Sequence, residues 1–299
     1  MKHIFISILI ILFMFTSCSL ISTGKSKMKP GSEGDIIHIE KYASKYVSAR
    51  NVDIWLPPGY YTDENTKYPV LYMHDGQNLF NPETSFIGVH WEIGERLARL
   101  SSKDTRYRVI VVGIWNSPHR VQEYAPQSAA ETYFSSIELQ RIINEQGEFL
   151  GDNYLKFVVE ELKPDIDSKF RTKTEKEFTY IMGSSRGGLI SLYALIKYPE
   201  IFGGAGCMST HWPAFQGCTI PYLKANMIRA GGHKIYFDFG TRTKDSEYEP
   251  YQVQVDSIMI EKGYTHGVDW ITRKFEGHEH SERSWSERVH IPLKFLLIQ

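Results

Sequence analysis

The sequence lacks an excess of charge of either sign, and it lacks internal repeats. Its 34 Lys and Arg residues nearly balance 35 Asp and Glu residues, which gives a formal net charge of −1. The absence of a basic surplus argues against nucleic-acid binding, and the absence of a block of like charges argues against an acidic tail. The chain is otherwise ordinary globular material, since 42% of its residues are hydrophobic and 13% are aromatic, enough for a sizeable core.

The amino terminus has a hydrophobic run, but this run is short. Residues 4–15 are almost entirely apolar and follow a short basic start. Such a run is too short to cross a bilayer comfortably and is typical of a secretory signal. The small residues followed by Cys18 resemble the lipobox of bacterial lipoproteins, in which that cysteine carries the lipid. We expect a signal peptide at 1–18, a polar tether at 19–36 and a lipoprotein exported to the bacterial cell envelope. The alternative is an ordinary secretion signal with a chance cysteine.

Cysteine is scarce, with 3 residues in the whole chain. Beyond Cys18, Cys207 and Cys218 remain, and an exported protein could join them in a disulfide. Sequence separation does not fix the distance between them. Two buried free thiols are therefore an equal alternative.

Strand-like and helix-like segments alternate along the rest of the chain. The run at 108–114 is apolar almost throughout, as a parallel strand buried on both faces should be. The alternation predicts one α/β domain at 37–299, with a mostly parallel central sheet and helices on both faces. Residues 127–149 show weak periodicity and are interpreted as a lid or an irregular insertion over the site. The predicted strands are 52–56, 68–73, 108–114, 178–182, 202–208, 234–239 and 270–275.

One segment has the pattern of a strand, a sharp turn and a helix. The β-prone run at 178–182 leads into Gly-x-Ser-x-Gly, and an apolar helix follows. This arrangement is typical of the nucleophile elbow of serine hydrolases. Gly183 and Gly187 remove Cβ atoms that would clash where the strand and the helix pack closely. The pattern predicts Ser185 as the nucleophile, because Ser184 does not occupy the central position.

A serine hydroxyl needs a base to take its proton, and the base needs a carboxylate to orient it. In hydrolases of this class the chain order is Ser, acid and His, each on a loop after a strand. Past Ser185, three histidines follow a predicted strand end: His211, His278 and His280. His211 precedes the acid candidates, so it breaks the order. We predict His280 as the base, with His278 as the alternative, because residues two apart on an extended loop can face the same way.

The acid is predicted on the loop after the strand at 234–239. Asp245 lies on that loop, from which a side chain can reach a histidine on the neighbouring loop. Asp238 lies within the strand and is an alternative, as is Glu247.

Two backbone amides are candidates to stabilise an oxyanion. The N–H of Arg186 follows the nucleophile at the start of a helix, where it can donate to a developing negative charge. In hydrolases of this type a loop after an early strand supplies the second donor. We expect this donor to be the N–H of Gln77, with Gly76 letting the backbone turn.

Side chains at the carboxyl ends of the predicted strands are candidates for substrate binding, because ligands bind there in open α/β sheets. Structural roles are the alternatives. The side chains of the 74–75 loop could merely fix that loop, an ion pair could join Arg120 to Glu123, and the tryptophans could pack in the core. The candidates are His74, Asp75, Trp115, Asn116, Arg120, His211 and Trp212.

Six segments carry a family resemblance: 51–60, 70–80, 154–172, 183–188, 245–251 and 275–282. Together they resemble the Putative esterase (esterase D-like) family of α/β-hydrolases. This branch includes feruloyl and acetyl xylan esterases, enterochelin esterase-like enzymes, S-formylglutathione hydrolases and mycolyltransferases. The resemblance implies the α/β-hydrolase fold and a triad of Ser, Asp or Glu, and His, and it supports Ser185 and His280. In feruloyl esterases the acid lies closer to the Gly-Thr of its loop than Asp245 does here.

These features predict a serine esterase that needs no metal and no organic cofactor. Acyl or feruloyl groups on polysaccharide-derived substrates fit an exported lipoprotein of this fold, and a siderophore ester or acyl transfer is the alternative within the family. Two other classes compete. One is a metal-dependent hydrolase that uses His278 and His280, although that spacing alone is weak. The other is a catalytically silent glycan-binding lipoprotein.

Overall fold

A computed structural model describes residues 33–298, and its centre is one eight-stranded sheet. The predicted signal peptide, Cys18 and most of the predicted tether lie outside the described residues. The strands are β1 (Asp35–Tyr42), β2 (Arg50–Leu56), β3 (Val70–His74), β4 (Ile110–Ile114), β5 (Thr179–Ser184), β6 (Gly204–Met208), β7 (Lys234–Gly240) and β8 (Trp270–Phe275).

The strand order across the sheet is β1-β2-β4-β3-β5-β6-β7-β8. β2 runs antiparallel to both β1 and β4, and all remaining neighbours are parallel. The prediction of a mostly parallel sheet in an α/β-hydrolase fold is confirmed. Because the parallel strands point the same way, their carboxyl ends and the loops that follow them meet at one edge.

Alternation along the inner strands sends side chains to two hydrophobic layers. In β3, Val70 and Tyr72 belong to one layer, whereas Leu71 and Met73 belong to the other. All five residues of this strand are buried. Both faces of the sheet are thus covered, which explains why the strand is a continuous apolar run rather than an alternating one.

The covering helices lie on both faces, as predicted. The helix that follows β5 is the most buried of those beside the sheet, and its residues 187–195 are all buried. The helices are α1 (Ile93–Ser101), α2 (Arg120–Glu123), α3 (Gln127–Tyr133), α4 (Ser136–Gln146), α5 (Gly151–Lys156), α6 (Lys163–Lys169), α7 (Arg186–Lys197), α8 (Thr219–Asn226), α9 (Glu249–Glu261), α10 (Glu282–Arg288) and α11 (His290–Leu297). A π-helical segment, Phe157–Leu162, joins α5 to α6.

Two segments differ from the sequence interpretation. β1 begins at Asp35, so the last two residues of the predicted tether belong to the sheet. This edge strand is partly exposed and carries charged residues among its isoleucines, so it has no long apolar run by which it could be recognised. Residues 127–149 are not irregular: they form α3 and α4, and α4 starts with a capping box between Ser135 and Glu138.

A buried ion pair joins the antiparallel edge of the sheet to α2, the first helix after β4. The Arg50 guanidinium donates to both carboxylate oxygens of Glu123, at 2.6 and 2.8 Å, and both side chains are about 1% exposed. Breaking such a pair on one side leaves an uncompensated buried charge. The sequence had suggested Arg120 as the partner of Glu123, and that pairing is wrong.

Cys207 and Cys218 are both buried and both free. The disulfide alternative is therefore wrong for this structure. Among the described helices, none combines the length and the apolar content required to cross a bilayer.

Candidate active site

The chain reverses direction sharply at Ser185, between β5 and α7. Its backbone has φ 57° and ψ −121°, a conformation that non-glycine residues rarely adopt. Two hydrogen bonds hold it there: the Ser185 N–H donates to the Met208 carbonyl (2.8 Å), and its carbonyl accepts from the His211 N–H (3.2 Å). The turn projects the hydroxyl beyond the end of the sheet.

Crowding at this turn explains the first glycine of the motif. A Cβ atom on Gly183 would lie 3.0 Å from the backbone of Gly187 and 3.0 Å from the His74 ring. A Cβ atom on Gly187 would meet nothing closer than 3.4 Å. The clash predicted from the sequence is therefore present at Gly183. Gly187 contributes the backbone atoms that a Cβ atom on Gly183 would meet.

Three side chains form a hydrogen-bonded chain at the edge of the sheet. The Ser185 hydroxyl donates to His280 Nε2 (2.8 Å), and His280 Nδ1 donates to Asp245 Oδ1 (2.6 Å). The His280 side chain is 10% exposed, and that of Asp245 is fully buried. A serine, an imidazole and a carboxylate in this order have the geometry of an activated nucleophile.

The alternative residues lie elsewhere. His278 has its Nδ1 3.8 Å from a Glu287 carboxylate oxygen, and its ring packs on Phe275. Asp238 is buried against Arg288, and Glu247 is exposed. Neither of these two carboxylates bonds to a histidine.

The Asp245 carboxylate is held by several donors. Besides His280, it accepts from the Ser209 hydroxyl (2.5 Å) and from the Gly240 N–H (2.6 Å), both at Oδ2. Burial raises the pKa of Asp245, but the hydrogen bonds from His280, Ser209 and Gly240 outweigh burial and bring it below the ordinary value. The group is thus ionised where it faces the imidazole.

The loop after β3 forms the opposite wall. Asp75 takes a left-handed conformation (φ 57°), and a short 3-10 turn, Gly76–Asn78, follows. Gly76 is required for space rather than for turning, because a Cβ atom there would lie 2.4 Å from the Gly113 carbonyl carbon. Gln77 and Ser185 line the same cavity. Arg186 is the first residue of α7, so its N–H has no partner within the helix.

A polar cluster sits beside this loop. The Arg120 guanidinium donates to both oxygens of Asp75 (2.6 and 2.7 Å), and the Asn116 amide donates to Asp75 Oδ1 (2.6 Å). Burial raises the pKa of Asp75, but the charge and hydrogen bonds of Arg120 outweigh it, so the pKa lies below its ordinary value. These three predicted pocket residues all line the cavity.

The other pocket candidates do not line the cavity. His74 is 1% exposed and bonds the Tyr154 hydroxyl through Nδ1 (2.7 Å). Trp115 donates to Asp53 (2.6 Å), and Trp212, 1% exposed, donates to Gln252. These three side chains are structural.

His211 lies behind the triad. Its Nδ1 is 2.6 Å from the Tyr248 hydroxyl, and its ring centre is 6.4 Å from that of His280. Burial and the nearby Arg186 charge lower the pKa of His211 to about 4. His211 is a neighbour of His280 and does not line the cavity.

The cavity has a volume of about 590 Å³. Several of its lining residues were not predicted from the sequence, although two of them had a recognisable signal. Glu282 and Trp285 are three apart on the helix that begins just after His280, so they share one face. The Trp285 ring meets the His280 ring edge-on, with centres 4.9 Å apart. The residues missed are Asn78, Phe86, Thr243, Lys244, Glu282 and Trp285.

In the described part of the chain, no group of three or more His, Cys, Asp or Glu side chains is arranged to hold a metal ion. The His278 and His280 rings serve different partners, as described above. Nothing in this geometry assembles a metal-dependent site from that pair.

Comparison with known proteins relates this site to a family. The family model described as "Putative esterase" matches residues 44–289. The chain is 27% identical over 224 residues to "Uncharacterized protein YbbA" of Bacillus subtilis (strain 168), which is 72% of this chain and 80% of that protein. It is 25% identical over 181 residues to an "Endo-1,4-beta-xylanase/feruloyl esterase" of Xylanibacter ruminicola, which is 60% of this chain and 22% of that protein.

Among solved structures, the ferric enterobactin esterase of Salmonella typhimurium is similar in fold. The TM-score is 0.63 at 20% identity, and the match covers 88% of this chain and 58% of that one. The chain thus spans about a fifth of the Xylanibacter protein and less than two thirds of the Salmonella protein.

The buried histidine beneath the site leads to a prediction about acid stability. Burial lowers the pKa of His74 to about 3, below the value near 6.5 of an unfolded histidine. The neutral ring therefore stabilises the fold fully above pH ~6.5, and this contribution falls by ~1.4 kcal/mol per pH unit as the pH drops towards 3. Urea unfolding at pH 7, 5.5 and 4.5 should show a shallower loss of unfolding free energy in His74→Gln than in the wild type.

The matched control is His119→Gln, which changes an exposed histidine and should keep the wild-type slope. Equal slopes in wild type and His74→Gln would contradict the assignment of a buried neutral ring.

Proposed function

The chain belongs to the Putative esterase family, and on that premise we propose that Ser185 carries out carboxylic ester hydrolysis through an acyl-serine intermediate. Family membership makes the protein a carboxylic ester hydrolase. The observation that carries the assignment of residues is the Ser185–His280–Asp245 chain, with contacts of 2.8 and 2.6 Å.

In the proposed acylation step, His280 Nε2 takes the Ser185 proton while the serine oxygen attacks the ester carbonyl carbon. Asp245 keeps the proton of His280 on Nδ1 and stabilises the imidazolium that forms. His280 then gives its proton to the departing alcohol. A water molecule, activated by the same imidazole, attacks the acyl-serine, and Ser185 regains its proton as the acid leaves.

The negative charge that develops on the carbonyl oxygen needs fixed donors. We assign this role to the backbone N–H groups of Arg186 and Gln77. Arg186 is the first residue of α7, and Gln77 lines the cavity. Each such donor contributes on the order of a hundred- to a thousandfold in rate.

Esters of polysaccharide-derived substrates, carrying acyl or feruloyl groups, fit the cavity best. Phe86 lies at its mouth and is 66% exposed, so its ring is free to stack on a sugar or an aromatic acid. Asn116, Arg120 and Glu282 offer donors and acceptors for hydroxyl groups. The name of the Xylanibacter relative supports this direction.

A siderophore esterase, or an acyltransferase of the same fold, is the second candidate. Lys244 lines the cavity, and a cation there suits an anionic siderophore ester. The similarity in fold to the Salmonella ferric enterobactin esterase supports this alternative.

The location we propose is the bacterial cell envelope, with a lipid on Cys18 tethering the domain to a membrane. The support is the apolar run at 4–15 and the small residues before Cys18. An envelope location suits polymeric or siderophore esters that are met outside the cytoplasm.

Replacement of the nucleophile tests the mechanism. Ser185→Ala should lower kcat for 4-nitrophenyl acetate by about 10⁴- to 10⁶-fold, because the attacking oxygen is lost, while the thermal unfolding midpoint stays near that of the wild type. Ser257→Ala, an exposed serine on α9, should keep wild-type rates. Retained activity in Ser185→Ala would refute the mechanism, and a wild type inactive on every short-chain ester would favour the silent glycan-binding lipoprotein.

A substrate panel tests the second part of the proposal. We expect kcat/KM for acetylated or feruloylated xylo-oligosaccharides to exceed that for enterobactin-type trilactones. Phe86→Ala should raise KM for the glycan esters by about fivefold, since one ring stack contributes ~1 kcal/mol, and leave 4-nitrophenyl acetate hydrolysis little changed. Tyr133→Ala removes an aromatic ring that is 52% exposed on α3 and serves as the control. A preference for the trilactone would favour the siderophore candidate.

Lipid attachment is tested in a bacterial host fed radioactive palmitate. The wild type should incorporate label and sediment with membranes, whereas Cys18→Ala should do neither. Cys207→Ala, which removes a different thiol, should still be labelled. Label that persists in Cys18→Ala would contradict the assignment of Cys18 as the lipid-carrying residue.

A further inference from the structure

A buried hydroxyl behind the triad makes contact with three polar groups. Ser209, directly after β6, is inaccessible to solvent. Its Oγ lies 2.5 Å from Asp245 Oδ2, 2.9 Å from Trp285 Nε1 and 2.7 Å from Arg288 Nη2. Two of these groups belong to α10, the helix that starts just after the base.

The direction of these hydrogen bonds is fixed by valence. A hydroxyl has one proton to donate and two lone pairs to accept with. The indole N–H and the guanidinium can only donate, so they occupy both lone pairs of Ser209. The single Ser209 proton must therefore point to Asp245 Oδ2.

Arg288 lies near Asp245 but does not hydrogen-bond to it. Its nearest approach to Asp245 Oδ2 is 3.7 Å, whereas it donates to Asp238 at 3.0 and 3.2 Å. Arg288 and Asp238 are each 1% exposed. Asp238 also accepts from the Ser209 N–H (3.0 Å) and the Tyr236 hydroxyl (2.9 Å), so its charge is fully engaged.

We propose that Ser209, Arg288 and Asp238 are positioning residues for the triad acid. Ser209 donates the hydrogen bond to Asp245 while it accepts one from Arg288, and it takes the place of a direct hydrogen bond between Arg288 and Asp245. Asp238 balances the arginine charge, so the Asp245 charge acts on His280. This inference rests on the proposed function, because it concerns the acid of that triad.

Other charged and titratable groups surround His280, and they define what must stay constant in the test. Asp245, Lys244 and Tyr248 come from the segment after β7, and Glu282 comes from α10. His211 lies on the loop after β6, Arg186 opens α7, and Asp75 and Arg120 lie across the cavity. None of these is altered in the variants below.

The orienting hydrogen bond is tested with Ser209→Ala. Arg288 is then expected to move onto Asp245, and kcat for 4-nitrophenyl acetate should fall by about 10- to 100-fold, because small displacements of a catalytic group cost this much. KM should change by less than about twofold, since Ser209 touches no substrate.

The charge balance is tested separately with the isosteric Asp238→Asn. This variant leaves the Arg288 charge uncompensated. A nearby cation disfavours protonation of the His280 imidazole. The acidic limb of the kcat/KM profile should therefore move to lower pH by about one unit. The double variant Asp238→Asn with Arg288→Met removes both charges and should restore the limb to its wild-type position.

A structural role alone would lower stability without moving the pH profile. The inference fails if Ser209→Ala keeps kcat within about twofold of the wild type, or if the limb of folded Asp238→Asn stays in place. If Ser209→Ala does not fold, the pH profiles of Asp238→Asn and of the double variant decide whether the positioning role holds. An inactive wild type would instead refute the proposed function, so the two failures are distinguishable.

Discussion

The structure depends on the reversal of the chain at Ser185. Its φ of 57° with ψ of −121° places the residue outside the usual regions for a side chain, at a cost of about 1–3 kcal/mol. The parallel pairing of β5 with β6 holds it there, because that ladder ends at Ser184 and Met208 and the next N–H bonds the Met208 carbonyl. The proposed nucleophile is thus positioned by the sheet, while its proposed base and acid come from the loops after β8 and β7. The same edge of parallel strands brings all three together.

The buried carboxylates at this edge each have partners of their own. Asp75 is ion-paired with Arg120 and Asp238 with Arg288, whereas Asp245 is held by hydrogen bonds from His280, Ser209 and the Gly240 N–H. Each carboxylate thus avoids the large penalty of an unpaired buried charge. The three also differ in what they face: the first lines the cavity, the second is enclosed, and the third reaches the Ser185 hydroxyl through the imidazole. A cation bonded directly to Asp245 would compete with the imidazole for its charge.

Much of the fold and of the hydrogen-bonded chain from Ser185 to Asp245 could be predicted from the sequence. β3 and β4 are almost continuous apolar runs, and Ser185, Asp245 and His280 each follow a strand in the expected order. Contacts between distant segments could not be predicted. Arg120 has Glu123 three residues away as the local partner, yet it bonds Asp75 on the neighbouring loop because β3 and β4 are adjacent in the sheet. Trp115 and Trp212 follow strand ends as Asn116 does, but their rings turn away from the cavity, towards Asp53 and Gln252.

The most direct measurement is covalent labelling of the folded protein with a fluorophosphonate, read by peptide mass spectrometry. The reagent reacts only with a serine whose proton can be removed, so it reports on the hydrogen-bonded chain at Ser185 rather than on any one substrate. We expect one adduct per chain, located on Ser185, and no adduct after denaturation in urea. Folded protein with an unlabelled Ser185, or with the adduct on another serine, would contradict the assignment of Ser185 as the nucleophile.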